Sequence, residues 1–158
     1  MAMSQRDSSA FVVRPGARVL LVDGMERVLL LRGSDPANPT ERYWFTVGGG
    51  VDTGETRAQA AARELWEETG LAIPPDALGE PVWQEVAEFP FDGHWYRQDQ
   101  EFFLMRVPRW DVNTAGWEEL ERRTVDQIRW WKVDELESTD ETYYPAELPV
   151  LLRRLLAG

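Results

Sequence analysis

The chain has no cysteine. Disulfides and thiolate chemistry are therefore excluded, and the cytoplasm is the simplest expectation for its compartment. It has one histidine. That residue, His94, follows Asp92-Gly93 in a predicted turn, so it reads as exposed and incidental, and a histidine-based hydrolytic site is not expected. No apolar run approaches the ~20 residues of a membrane-spanning helix. Met1 to Ser9 is polar and lacks the apolar centre of a secretion signal. Positive charge is scarce: 17 Lys and Arg face 28 Asp and Glu, for a net charge of −11. That disfavours a long polyanion such as duplex nucleic acid. A small phosphorylated ligand stays open, because a bound metal can reverse a local field.

What is present fits one domain. The 158 residues, 43% hydrophobic and 28% charged, are ordinary for a globular chain. Residues 1–9 read as a frayed tail and 10–158 as the domain. Eight tryptophans are many for this length, most of them expected in core or edge-strand packing, with one or two free to stack on a base.

Strands are expected at Ala10 to Arg14, interrupted by Pro15-Gly16, then at Ala17 to Val22 and, after an Asp23-Gly24 turn, at Arg27 to Arg32. Gly33 to Arg42 reads as a loop and Tyr43 to Val47 as a short strand that delivers Gly48, Gly49 and Gly50. Beyond a helix discussed below, strands are expected at Pro81 to Phe89, Trp95 to Val107 and Thr124 to Val133. Asp111 to Arg123 reads as an acidic loop with at most a helical turn, and as mobile, since it follows Pro108 and carries Asn113 and Gly116. A short helix starts at Asp134, and a last helix has Pro145 in its first turn. This order suggests a mixed sheet between helices.

The organising stretch is Gly49 to Leu71. Thr56 can cap a helix, with Gln59 completing a capping box, and Gly70 suits a left-handed stop. At roughly 100° per residue, Ala58, Ala61, Ala62, Leu65 and Thr69 share one face, while Glu64, Glu67 and Glu68 share an adjoining arc. Carboxylates so close repel. Arg63, one turn before Glu67, can pair with it but cannot neutralise three acids, whereas a hard divalent cation such as Mg²⁺ can.

The pattern G-x5-E-x7-R-E-L-x-E-E-x-G-L holds at Gly49, Glu55, Arg63, Glu64, Leu65, Glu67, Glu68, Gly70 and Leu71, and it resembles the Nudix box of the Nudix hydrolases. The resemblance implies an α/β/α sandwich with a mixed sheet between helices. It also implies Mg²⁺ or Mn²⁺, and hydrolysis of a nucleoside diphosphate linked to another group by water attack on phosphorus. It carries Glu67 and Glu68 over as metal ligands, Glu64 as ligand or general base, Arg63 as the residue holding the carboxylates, Glu55 as a support of the loop, and the Gly48 carbonyl as a further metal contact. Relatives often add a later acid, for which Glu118, Glu119 and Glu121 are candidates, Glu119 first because it is central.

Arg32, Arg42 and Tyr43 flank the glycines, where an arginine can hold a distal phosphate and an aromatic can stack on a base; Arg97 is a weaker candidate. The rival to an enzyme is a non-catalytic nucleotide sensor, which would usually have lost a box glutamate or the arginine; this chain keeps them all. An isoprenoid diphosphate isomerase commonly needs a cysteine. Nucleoside triphosphates, nucleotide sugars and dinucleoside polyphosphates remain open as substrates, while the net charge weighs against RNA 5′ ends. Dimers are common among relatives, so a homodimer is compatible with the resemblance.

Overall fold

Two apolar runs, Ala17 with Val19 to Val22 and Val28 to Leu31, are buried completely. Successive side chains of a strand point to opposite faces, so such runs need a covering layer on each side of a sheet. The computed structural model, which describes residues 10–157, has that arrangement. Strands β1 (Phe11–Val22), β2 (Val28–Asp35), β3 (Asn38–Gly50), β4 (Trp83–Phe91), β5 (His94–Arg106), β6 (Gln127–Trp131) and β7 (Tyr143–Tyr144) form one mixed sheet. The order is β4-β5-β1-β2-β3-β7, with β6 paired to β2. Helices α1 (Arg57–Thr69) and α4 (Leu148–Leu156) cover its two faces, with the short helices α2 (Glu119–Thr124) and α3 (Val133–Ser138) beside them. This is the expected α/β/α sandwich. Among the described residues no helix is long and apolar enough to cross a membrane.

Strand parity divides the core. Ala17, Val19, Leu21, Leu29 and Leu31 pack with Ala60, Ala61 and Leu65 of α1. The intervening Leu20, Val22, Val28 and Leu30 pack with Trp44, Trp131 and Leu148, Leu151 and Leu152 of α4. Strand β3 pairs with β2 along Arg42 to Thr46, then passes to β1, where Val47 to Gly50 pair with Val19 to Gly16. Strands β1 and β2 meet only at Val22 and Val28. The sheet therefore opens between β1 and β2, and β3 delivers its glycines at that opening.

Several boundaries differ from the sequence reading. Pro15-Gly16 does not break β1, which pairs in parallel with β5 from Phe11 to Val22. The Pro15 carbonyl faces the β3 side, where it accepts from Val51 N at 3.0 Å. The missing proline N–H thus lies on an edge where the strand has no earlier partner. The loop expected over Gly33 to Arg42 is instead a tight hairpin. Asp35 Oδ1 accepts from Ala37 N at 3.0 Å and from Asp92 N at 2.7 Å, a side-chain turn that replaces a long connection. Strand β3 accordingly starts at Asn38, well before Tyr43. In α4 the first-turn proline is Pro149, and Pro145 precedes the helix. The tail, 1–9, lies outside the described residues.

The expected apolar face of α1 is buried at Ala61, Ala62, Leu65 and Thr69, while Ala58 is only half-buried and Ala60 and Glu68 are buried as well. Leu65→Asp should therefore place an unpaired charge in the core and leave the protein insoluble or without a cooperative thermal transition. Glu64→Gln, on the adjoining arc, should keep a cooperative transition. Circular dichroism melts of both variants check this, and a parental melt for Leu65→Asp would refute the assigned face.

Candidate active site

Local chemistry fixes the start and the end of the site helix. Thr56 Oγ1 accepts from Gln59 N at 3.1 Å, and Gln59 Oε1 accepts from Thr56 N at 2.9 Å. At the other end Gly70 adopts φ 79° and donates its N–H to Trp66 O at 2.8 Å, a stop that a residue with a side chain reaches only with strain. Between these caps α1 carries Glu64, Glu67 and Glu68 to the place where β3 ends.

The glycines let the helix come that close. Gly48 has φ 137°, and a Cβ there would lie 2.7 Å from Arg18 Cα and against the Ala17 carbonyl oxygen. A Cβ on Gly49 would collide with the Glu64 carboxylate. The Gly48 N–H donates to Glu68 Oε1 at 3.3 Å, so β3 and α1 are joined at the site by a backbone-to-carboxylate bond.

One carboxylate oxygen each from Glu64, Glu68 and Glu121 lies within 4.8 Å of the others. Glu68 is 3% exposed. Burial pushes its carboxyl well above the usual carboxylate range, and the charges of Glu64 and Glu121 add to the rise. Glu64 is pushed up to about 7, again chiefly by burial, with Arg63 opposing the shift. Burial also raises Glu121, opposed by the hydrogen bond from the Glu118 N–H and helped by the charges of Glu67 and Glu118. Three converging hard oxygen donors, of which Glu68 is held back from ionising by both of its neighbours, suit a divalent cation.

Glu67 stands beside this trio. Burial raises its carboxyl while Arg63 holds it down, and Arg63 Nη1 donates to Glu67 Oε1 at 3.1 Å. The same guanidinium donates to both oxygens of Glu55, at 2.8 and 3.0 Å, and to the Gly50 carbonyl at 3.1 Å. Glu55 Oε1 in turn accepts from Asp52 N at 2.9 Å. Arg63 and Glu55 thus bind the glycine loop to the helix; the sequence reading gave support of the loop to Glu55 and the holding of the carboxylates to Arg63. The Gly48 carbonyl accepts from Arg18 Nη1 at 3.1 Å.

The later acid that reaches the cluster is Glu121; Glu119 and Glu118 are exposed. Glu118 caps α2, and its N–H donates to Glu121 Oε1 at 3.0 Å. This capping box turns Glu121 inward. The segment read as a mobile loop is tied along its length to the last turn of α1. Trp110 Nε1 and Asn113 N donate to Thr69 O at 2.8 and 2.9 Å, and Trp117 Nε1 donates to Glu68 O at 2.9 Å. Both indoles satisfy carbonyls that a helix end leaves open. The E-x-x-E spacing of Glu118 and Glu121 was the signal for this geometry.

The flanking candidates are engaged elsewhere. Arg32 donates to both Asp126 oxygens, at 3.0 and 2.8 Å, and Arg42 reaches Asp126 at 2.9 Å. Tyr43 packs against Phe45 and Tyr144, with ring centroids 5.9 and 5.5 Å away. Arg97 bonds Glu88 at 2.7 Å and covers the Phe11 ring. His94 is exposed, as expected.

The buried carboxyls set a pH dependence for the metal-free protein. A folded-state value raised above the unfolded one means that the native state holds more protons between the two. The stability contributed by the protonated pair is thus present at low pH and lost as pH rises through about 7 for Glu64. In chelator, the protein should melt at a lower temperature at pH 8 than at pH 5.5, and Glu68→Gln should flatten that difference. An equal drop in parent and variant would show that the pair is not its source.

The site can now be set beside known proteins. The family model of the NUDIX domain matches residues 12–153. An RNA pyrophosphohydrolase of Roseobacter denitrificans is 31% identical over 141 residues, covering 81% of this chain and 82% of that protein. Its namesake from Wolbachia pipientis of Culex pipiens is 29% identical over 131 residues, 78% of this chain and 76% of that protein. The crystal structure of a MutT protein from Methanosarcina mazei covers 93% of this chain and 95% of its own, with a TM-score of 0.68 at 20% identity. At that identity the likeness speaks for the fold.

Proposed function

The chain belongs to the Nudix family, and from that premise we propose that it is a pyrophosphohydrolase, dependent on Mg²⁺ or Mn²⁺, that cleaves a nucleoside diphosphate linked to another group. The observation that carries this reading is the convergence of Glu64, Glu68 and Glu121 within 4.8 Å. A divalent cation held by these residues would offset the charge of the diphosphate and make water more acidic. The remaining chemistry falls to the chain. In the reaction the water oxygen bonds to one phosphorus as the bridging P–O bond breaks. The leaving phosphate takes the electron pair, and one water proton passes to a carboxylate.

Glu64 and Glu68 approach from the helix, and Glu121 from the strapped segment facing it. Glu67, held by Arg63, adds negative charge at the margin of the cluster. All three have a raised affinity for a proton, and Glu64 and Glu121 are the ones proposed to take it, because Glu68 is enclosed and accepts from the Gly48 N–H.

The substrate is proposed to be a nucleotide. The similarity to proteins named RNA pyrophosphohydrolase adds the 5′-triphosphate end of RNA to the candidates. The net charge of −11 weighs against a grip on a long RNA, but not against its terminal phosphates.

A panel decides the class. A 5′-triphosphorylated RNA oligonucleotide, nucleoside triphosphates, a dinucleoside polyphosphate and a nucleotide sugar are each incubated with protein and Mn²⁺ or Mg²⁺, and the products identified. Turnover should vanish in excess chelator, and Glu64→Gln or Glu68→Gln should lower it about a thousandfold. Glu121→Gln should lose roughly 10²–10⁴-fold, while Glu119→Gln stays near parental. Inertness toward every diphosphate would favour a nucleotide-binding module instead.

A further inference from the structure

We propose that Arg18, on the sheet face away from α1, binds the diphosphate of the substrate beside the carboxylate cluster. The inference rests on the pyrophosphohydrolase reading above and supplies what that reading lacks, a cation for the anionic substrate. Most other arginines near the site are engaged, and Arg14, beside Gly50, gives its Nε to Gln98 and covers the Tyr96 ring. Arg63 is held by Glu55, Glu67 and the Gly50 carbonyl. Arg32 and Arg42 both pair with Asp126. Arg57 ties α1 to the carbonyls of Gly16 and Asp99.

Arg18 differs in three respects. Its parity on β1 is that of Leu20 and Val22, so it lies on the α4 side of the sheet, where β3 delivers Gly48. Its Nε donates to Gln100 Oε1 at 3.2 Å, and its Nη1 donates to the carbonyls of Thr46 and Gly48, each at 3.1 Å. Gln100 is itself fixed by Glu85 and Gln98, at 2.7 Å each. The guanidinium is therefore held in one orientation. Its second terminal nitrogen, Nη2, has no acceptor among the described residues, and the one buried side-chain polar atom without a partner there is Trp131 Nε1. Two N–H donors of a fixed fork are thus left for an outside oxygen, which suits a phosphate.

Burial lowers the proton affinity of the Arg18 guanidinium and the carboxylates of Glu68 and Glu64 oppose that, so its charge stands in the field of the cluster. Gly48 receives Arg18 at its carbonyl and gives its N–H to Glu68, so the guanidinium stands one peptide from the cluster. A cation so placed opposes a bare metal ion. A diphosphate that touched both the cation and Arg18 would be held more tightly by each in the presence of the other, and the coupling is reciprocal.

The test uses imidodiphosphate, which resists hydrolysis, titrated calorimetrically into the protein at saturating Mn²⁺, with Mn²⁺ alone titrated separately. Arg18→Met should weaken imidodiphosphate binding about tenfold to a hundredfold, as for lost charge-assisted hydrogen bonds. Mn²⁺ binding alone should be unchanged or tighter, and Arg42→Met should alter neither. Parental imidodiphosphate affinity in Arg18→Met overturns the proposal. So does a matching loss of Mn²⁺ affinity, which would make Arg18 a support of the cluster, or an equal loss in Arg42→Met. Should Arg18→Met not fold, the parent decides: the Arg18 Nε–H resonance should shift when imidodiphosphate is added, and an unmoved resonance overturns the proposal. A parent that takes up no Mn²⁺ removes the metal reading itself and this inference with it, whereas a parent that takes it up leaves the two separately judged.

Discussion

Packing one buried carboxylate between two half-buried ones is the constraint on which this structure turns. Glu68 is almost wholly enclosed, and Glu64 and Glu121 face it within a few ångströms. Left ionised, Glu68 would lose its hydration with only the Gly48 N–H and the charge of Arg18 in return, a cost far above that of an ordinary surface charge. The fold answers with protons at low pH and with a site suited to a dication. Stability and function are thus set against each other at these residues: the same repulsion that weakens the metal-free protein gives the cluster its affinity for a hard cation.

The rest of the architecture holds that unfavourable grouping in place. The apolar stripe of α1 fixes the rotation of the helix, because Leu65, Ala61 and Thr69 are buried against β1, β2 and β3. Its caps fix the axial position, so that the glutamates arrive where β3 has passed from β2 to β1. Gly48 and Gly49 thin the sheet there, and Arg63 locks the glycine loop to the helix. Trp110 and Trp117 then bring the Glu121 segment back onto the last turn of α1 by donating to its open carbonyls. Each of these devices acts on the relative placement of two backbones. Ordinary helix and sheet propensities alone would not produce that placement.

Local signals in the sequence made some of this legible and left the rest hidden. Helix α1, its capping box and its left-handed glycine follow from local residues and are as read, and its buried face is as read save that Ala58 is half-buried and Glu68 is buried. The hairpin at Asp35 was missed because its cause is a side chain that bonds both its own turn and Asp92, far along the chain. The continuity of β1 through Pro15 depends on which edge the missing N–H faces, and only the pairing shows that. The preference for Glu119 rested on its central position, whereas the capping box formed with Glu118 turns Glu121 inward. Arg32 and Arg42 lie near the site by chain order but are claimed by Asp126, which arrives from a distant segment. Arg18 is the one charge inside the otherwise apolar run Ala17 to Val22.

That charge bears on the apparent conflict between an acidic protein and an anionic substrate. Net charge governs long-range attraction, and over more than about a Debye length salt screens it. Recognition at contact depends instead on which charges remain uncommitted. Most arginines near the site are already hydrogen-bonded to carboxylates or carbonyls, which makes them part of the scaffold. Arg18 is held at Nε and Nη1 and open at Nη2, opposite a cluster fit for a dication. A diphosphate approaching this surface would meet few long-range attractions, and its binding would rest on the cation and the guanidinium acting together across Gly48. An arrangement of that kind favours compact, highly charged phosphate groups over extended polyanions, since the attraction is confined to one point of an otherwise repelling surface.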